Sequence, residues 1–251
     1  MKAAARHLRI RELLESQEFV DQDALTAVLH ASESSIRRDL IALESQGILK
    51  RVYAGAMAMQ PRDTALDFDW QSARMAGQKL RIAAVAATLI HDNQIVLLDG
   101  GSTVAAVAAA LLGRSLHVIT NSLAIAEVFR DARQIDVTLT GGYVYPRLRA
   151  LLGPLCEQMI SSITADVLIM GIGGITEAGF SNSNTLVVGP ERKMIEAARK
   201  VIVVADHTKF GHAAVTHLAE LHIADIVISN MELAQEHQNL LRQHGVQLLL
   251  A

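Results

Sequence analysis

Two spacings of apolar residues divide the chain. Up to about residue 57 they recur at helical intervals. Ile10, Leu13 and Leu14 mark one face of a first helix. Leu25, Val28 and Leu29 mark a second, with Asp21 placed to cap it. Ile36, Leu40 and Leu43 mark a third, with Ser32 placed to cap it and Gly47 to stop it. The stretch "ILKRVYAGAMAM" follows, rich in strand formers around Gly55, and reads as a small hairpin. Three short helices and a hairpin predict a winged helix-turn-helix over residues 1–57.

Beyond about residue 77 the pattern changes. Apolar runs of strand length ("QIVLLD", "LHVIT", "IDVTLT", "DVLIMG", "KVIVVA", "DIVIS", "VQLLL") alternate with helical segments near 78–90, 102–112, 122–130, 154–163, 190–199 and 232–244. Continuous apolar strands between helices predict an α/β domain over 78–251, with a mostly parallel sheet covered on both faces. The intervening "MQPRDTALDFDWQSARMAG" is polar, holds Pro61 and Gly77, and reads as a linker over 58–77. Its Trp70 is expected to pack on a domain surface.

Composition narrows the class. The 251 residues are 51% hydrophobic with a formal net charge of −3, which suits a folded protein and argues against non-specific coating of nucleic acid. A focused basic face remains compatible with that total. The single cysteine, Cys156, excludes an intrachain disulfide and a cysteine metal cluster, and is expected to be buried. Arg9, Arg11 and Glu12 interrupt the only candidate for a signal peptide, and no apolar run approaches a bilayer span, so the expected location is the cytoplasm.

The third helix carries the first candidate chemistry. If Ile36, Leu40 and Leu43 face inward, Ser34, Arg37 and Arg38 project outward, where hydroxyls and arginines can meet phosphates and guanine edges in a major groove. Lys50 and Arg51 flank the hairpin and can reach the DNA backbone. The bland alternative is that Arg37 and Arg38 only solvate the helix and pair with Glu33 or Asp39.

The second candidate site lies at the strand ends. Asp99, Gly100, Gly101, Ser102 and Thr103 end the first long strand. Thr120, Asn121 and Ser122 end the next, followed by Thr140, Gly141 and Gly142, then Gly171, Ile172, Gly173 and Gly174. Asp206, His207, Thr208 and Lys209 close the set. Glycines let backbone N–H groups approach an anion, helix N-termini add partial positive charge, and Lys209 adds a full one. Such a crown suits a small phosphorylated molecule. The spacing matches neither a dinucleotide-binding fingerprint nor a P-loop, so no NAD, ATP or other cofactor is expected. His207, His212, His217 and His222 recur every five residues, a step that aligns side chains on neither helix nor strand, so no metal site is expected.

Together these stretches resemble the DeoR family of bacterial transcription regulators. "SESSIRRDLIALESQGILKR" is similar to the family's helix-turn-helix signature. "LLDGGSTV", "VITNSLAIA", "LTGG", "GIGGITEAGF" and "VIVVADHTKFG" are similar to successive parts of its effector domain. The resemblance implies a sugar-phosphate-isomerase-like effector domain and a homodimer or tetramer on a double-stranded DNA operator. It further implies a repressor of a carbohydrate catabolic operon, relieved by a phosphorylated sugar or related metabolite. It assigns Ser34, Ser35, Arg37 and Arg38 to the recognition helix. Gly101, Ser102, Thr103, Asn121, Ser122, Gly141, Gly142 and Lys209 fall to the effector pocket. Two departures stand out. The wing reads Tyr53, Ala54, Gly55, Ala56 in place of the family's His-Gly-Gly-Ala. Val187 stands where the family often has an acid, with Glu191 as a candidate substitute from a shifted position. The rival reading is a sugar-phosphate isomerase with an added N-terminal domain, for which no acid–base pair stands out. A further alternative is a regulator whose pocket is vestigial.

Overall fold

The computed structural model describes residues 3–16, 19–45, 48–58 and 68–251. Gly47, the expected stop of the third helix, and residues 59–67 of the expected linker, Pro61 among them, lie outside the described residues. The chain divides into two units, residues 1–71 and 72–251.

In the first unit, α1 (Ala3–Ser16), α2 (Gln22–Leu29) and α3 (Glu33–Ser45) enclose a core with strands β1 (Phe19–Asp21), β2 (Leu49–Val52) and β3 (Gly55–Ala58). Ile10, Leu25, Ile36 and Leu43 are fully buried there, each stabilising by about 1.5–3 kcal/mol. Asp21 caps α2 by accepting from the N–H groups of Asp23 and Ala24. Ser32 starts α3 through its carbonyl, which accepts from Ser35 and Ile36. Val28 departs from expectation: it is exposed. Leu25 and Leu29 are four apart and define the buried line, and Val28 falls at its edge on a helix of eight residues. The hairpin β2–β3 forms as expected, and β1 joins it through β3 to make a three-stranded antiparallel sheet. A Cβ on Gly55 would stand 2.1 Å from the Val20 carbonyl oxygen, so the glycine is what lets β1 approach. Trp70, in α4 (Phe68–Ala73), packs on this core.

The second unit is built on seven strands: β4 (Ile95–Leu98), β5 (Leu116–Thr120), β6 (Ile135–Leu139), β9 (Val167–Gly171), β12 (Val201–Val204), β14 (Ile226–Ser229) and β15 (Gln247–Leu250). Each falls in one of the seven apolar runs. Every pairing is parallel, in the order β15-β14-β12-β9-β4-β5-β6. Alternate residues serve opposite faces: Leu97, Val203 and Val227 enter one core layer, while Val96, Leu98, Val204 and Ile228 enter the other. α5 (Ala76–Thr88), α6 (Ser102–Ala110) and α7 (Leu123–Phe129) cover the second layer. α8 (Pro154–Ser161), α9 (Thr185–Ala197) and α10 (Gln235–Gln243) cover the first.

Short antiparallel pieces escaped the sequence reading: β7 (Tyr143–Tyr145) with β8 (Ala150–Leu152), and β10 (Gly174–Thr176) with β11 (Gly179–Asn182) and β13 (Thr216–Ala219). The helix expected from residue 190 begins at Thr185, capped by Asn184, and carries Pro190 in its interior. A proline is most at home in a first helical turn, which is why the sequence misleads there.

The strand order reverses between β4 and β9. The chain proceeds from β4 to β5 and β6, then returns to β9 on β4's other side. Such a switch point opens a crevice beyond the strand carboxyl ends.

Candidate functional site

At the carboxyl end of β4, Asp99 spans that crevice: its Oδ2 accepts from the N–H of Gly171, at the end of β9, at 3.4 Å. Asp99 is buried. Burial pushes its carboxyl up to about 7, against the N–H groups of Gly100 and Gly171, which favour the charged form. Gly101, at φ +124°, turns the chain into α6, whose N-terminus has no side-chain cap, so its leading N–H groups face outward from Ser102 and Thr103.

Thr120, Asn121 and Ser122 divide their work. The Thr120 hydroxyl accepts from the Ser122 N–H, and the Ser122 hydroxyl caps α7 through the Ile125 N–H. Both are fully buried and hold the turn. Asn121 donates Nδ2 to the Leu151 carbonyl, while its Oδ1, also buried, has no partner. That oxygen lies 3.9 Å from where a Cβ on Gly100 would be, so it faces the β4 turn.

The other glycines make room. A Cβ on Gly142 would sit 2.5 Å from the Leu152 carbonyl oxygen, which explains how β8 reaches the crown. Gly141, at φ +72°, turns the same segment. Thr140 donates to the Cys156 Sγ at 3.3 Å beneath it, and Cys156 is buried as expected. The N–H groups of Gly171 and Gly173 are already engaged, by Asp99 and by the Ser181 carbonyl.

A cationic cluster stands at the end of β12. Asp206 caps the turn His207–Lys209 by accepting from the Thr208 N–H. Burial lowers the Lys209 ammonium from its usual range, with Asp206 opposing and Arg74 adding to the shift. Lys79 joins it from α5, a residue the sequence reading missed. It is buried, its Nζ donates to the Arg74 carbonyl at 2.6 Å, and burial lowers its pKa to about 8 while Asp206 pulls it back up. The signal was present: a lysine three residues before Ile82 lies on that helix's buried stripe.

A second buried acid stands near enough to Asp99 to feel its charge. Glu191, on α9, is buried. Burial raises its carboxyl well above the usual range, the Asp99 charge adds to this, and a hydrogen bond from Asn182 at 2.6 Å opposes it. Glu191 Oε2 has no partner. Val187 lies one helical turn earlier and packs against the core.

The recurring histidines are dispersed. His207 hydrogen-bonds Asn230, His212 the Gly173 carbonyl, and His217 the Ala178 carbonyl. Among the described residues no group of histidine, cysteine and carboxylate side chains could hold a metal, and no helix is long and apolar enough to cross a membrane.

In the first unit, Ser34, Arg37 and Arg38 are exposed on one face of α3, with Ser35 half-buried. The acid adjacent in sequence does not neutralise the two arginines. Asp39 turns inward, accepting from Arg6 Nε at 2.6 Å and meeting His7 Nε2 at 3.0 Å, while Glu33 accepts from Gln22. Arg38 Nε touches the Ser34 carbonyl. Lys50 is exposed, whereas Arg51 is held by Glu44 at 2.6 Å, so a phosphate would compete with that carboxylate. Tyr53 is fully exposed at the hairpin turn.

A model of the DeoR C terminal sensor domain matches residues 74–231, and one of the DeoR-like helix-turn-helix domain matches residues 6–62. The chain is 32% identical over 245 residues to the HTH-type transcriptional repressor GlcR of Bacillus subtilis, covering 98% of this chain and 95% of that protein. It is 31% identical over 252 residues to the glycerol-3-phosphate regulon repressor of Escherichia coli, covering all of both. Ribose 5-phosphate isomerase A from Methanocaldococcus jannaschii superposes on 53% of the chain, and 53% of its own, at 16% identity with a TM-score of 0.40.

Proposed function

We propose, for a chain that belongs to the DeoR family of transcription regulators, that its crown binds a small phosphorylated, polyhydroxylated metabolite and that occupancy weakens operator binding. The chain is a regulator and not an isomerase. On this reading it represses a carbohydrate-utilisation operon in the cytoplasm. Residues 1–57 read DNA, 58–77 link, and 78–251 sense. Two or four copies act together, because one recognition helix reads too little sequence.

The observation that carries the proposal is the inventory at the switch point. Asn121 Oδ1 and Glu191 Oε2 are buried polar atoms without hydrogen-bond partners, beside the uncapped N-terminus of α6. A buried polar atom left unpartnered costs about 1–3 kcal/mol, and a ligand with several hydroxyls removes that cost. The α6 N-terminus, Ser102, Thr103, Lys209 and Lys79 supply donors and positive charge for its phosphate; Asp99, Asn121 and Glu191 hydrogen-bond its hydroxyls. Ser34, Ser35, Arg37, Arg38 and Lys50 contact the operator, with Arg51 joining when it leaves Glu44. Binding of ligand favours one arrangement of the paired chains over another, and the operator binds the other.

The test is fluorescence anisotropy with DNA from upstream of the chain's own operon, titrated with sugar phosphates and with inorganic phosphate as control. The expected outcome is specific binding that one phosphosugar releases at concentrations where phosphate does not. Specific DNA binding that no phosphorylated compound alters would overturn the sensor half of the proposal.

A further inference from the structure

One line of contacts runs from the loop after β9 to Glu191. Gly173 lies against Asn182: a Cβ there would stand 2.7 Å from Asn182 Oδ1 and 3.0 Å from its Cα. Asn182 ends β11 and gives its Nδ2 to Glu191 Oε1. That single bond fixes one carboxyl oxygen and leaves Oε2 buried without a partner. The helix bearing Glu191 is itself unusual. Pro190 sits in its interior, where it removes one backbone hydrogen bond. Gly189 is where the Glu157 carboxylate would meet any Cβ, at 2.8 Å. A helix built only for packing would avoid an interior proline and a buried acid with one free oxygen. Val187, four residues earlier on the same face, is apolar and packs into the core. The acid therefore enters one turn later than an acid at Val187 would.

We propose that Glu191 is the specificity-determining residue of the effector site, its free Oε2 pairing with a hydroxyl of the ligand while Asn182 holds the other oxygen. This rests on the effector reading above. The ligand class is a sugar or polyol phosphate whose hydroxyl, not its phosphate, meets Glu191. The phosphate is bound elsewhere, at the α6 N-terminus and the Lys79–Lys209 cluster. Glu191 thus sorts one sugar phosphate from another and is indifferent to the anion they share.

Calorimetric titration of the full chain and of Glu191→Gln tests this. The probes are glucose 6-phosphate, fructose 6-phosphate, ribose 5-phosphate, the 2-deoxy analogues of the first and last, and inorganic phosphate. Gln keeps the shape and the Asn182 bond, and a thermal melt checks that the fold is retained; Glu191→Asp serves as a second variant that keeps the carboxyl group and shortens its reach. The wild type is expected to bind at least one sugar phosphate more tightly than inorganic phosphate. Glu191→Gln is expected to lose about tenfold toward that sugar phosphate, leave phosphate affinity unchanged, and alter the ranking of the panel. Unchanged affinities and ranking in both variants would overturn the inference and leave the effector reading standing, as would an equal loss toward phosphate and sugar phosphate. A wild type that binds no sugar phosphate better than phosphate would overturn both.

Discussion

The two proposed sites, the α3 face and the strand-end crown, are built by opposite means. On α3 the working groups are exposed, and the structure leaves them unneutralised by taking Asp39 inward to Arg6 and His7. In the crown Asp99, Asn121 and Glu191 are buried, and the structure leaves Asn121 and Glu191 short of hydrogen bonds. One region carries surplus charge at its surface and the other carries unpartnered polar atoms inside. A charged, flexible polymer suits the first. A small ligand that can be enclosed suits the second.

The sharpest way to break the comparison is to remove the surface charge. Arg37→Ala with Arg38→Ala is expected to weaken operator binding roughly 100-fold and to flatten its salt dependence by about one to two ions released. Thermal melts should move little, because both side chains are exposed. Crown variants such as Asp99→Asn should leave DNA affinity without effector intact and abolish only the response. A crown variant that lost DNA binding on its own would collapse the distinction.

Next in size are the two glycines that let backbone approach backbone, one in each region. Gly55→Ala sets a Cβ against the Val20 carbonyl, and Gly142→Ala sets one against Leu152 at a positive φ. Each is expected to cost about 1–3 kcal/mol, read as a lowered midpoint in denaturant. Gly55→Ala should loosen β1 and DNA binding, and Gly142→Ala the effector response. A smaller effect is expected from Lys79→Met: about a tenfold loss of phosphosugar affinity, with operator affinity in the absence of ligand unchanged.

The difference between the regions also explains what the sequence made legible. Seven apolar runs became seven strands because a sheet buried on both faces leaves a contiguous signature. Arg37 and Arg38 were visible because exposed charge beside a periodic apolar stripe is local information. The fate of Asp39 was not, since its partners lie more than thirty positions away in α1. The crown's glycines and hydroxyls were visible as a set, but their separate jobs were not. Thr120 and Ser122 hold a turn, Gly142 and Gly173 admit neighbours, and Asn121 alone of that turn keeps a free buried oxygen. Lys79 was overlooked because a lysine on an apolar stripe gains meaning only when Lys209 and Asp206 are brought to it. Pro190 hid the start of α9, and with it the turn that carries Glu191.

Acid should separate the two regions by sign, with the smallest effects of this set. Burial alone would raise the Asp39 carboxyl, but hydrogen bonds from Arg6 and His7 outweigh it and hold the carboxyl below its usual range. Its stabilisation is therefore present above the unfolded value of about 3.9 and is lost as pH falls below that. Asp99 runs the other way. Its folded carboxyl, raised to about 7 by burial, holds a proton that the unfolded chain has released. Its contribution is complete below about pH 4 and fades as pH rises through 7. Melts of the wild type should thus rise modestly from pH 7.5 to 5 and fall below 4. Asp99→Asn should reduce the rise, to which the buried Glu191 also contributes, and spare the fall, while Asp39→Asn should spare the rise and reduce the fall. If both variants flattened the same limb, the acids would share one environment, and the division between surface charge and buried, unpartnered polar atoms would not describe this molecule.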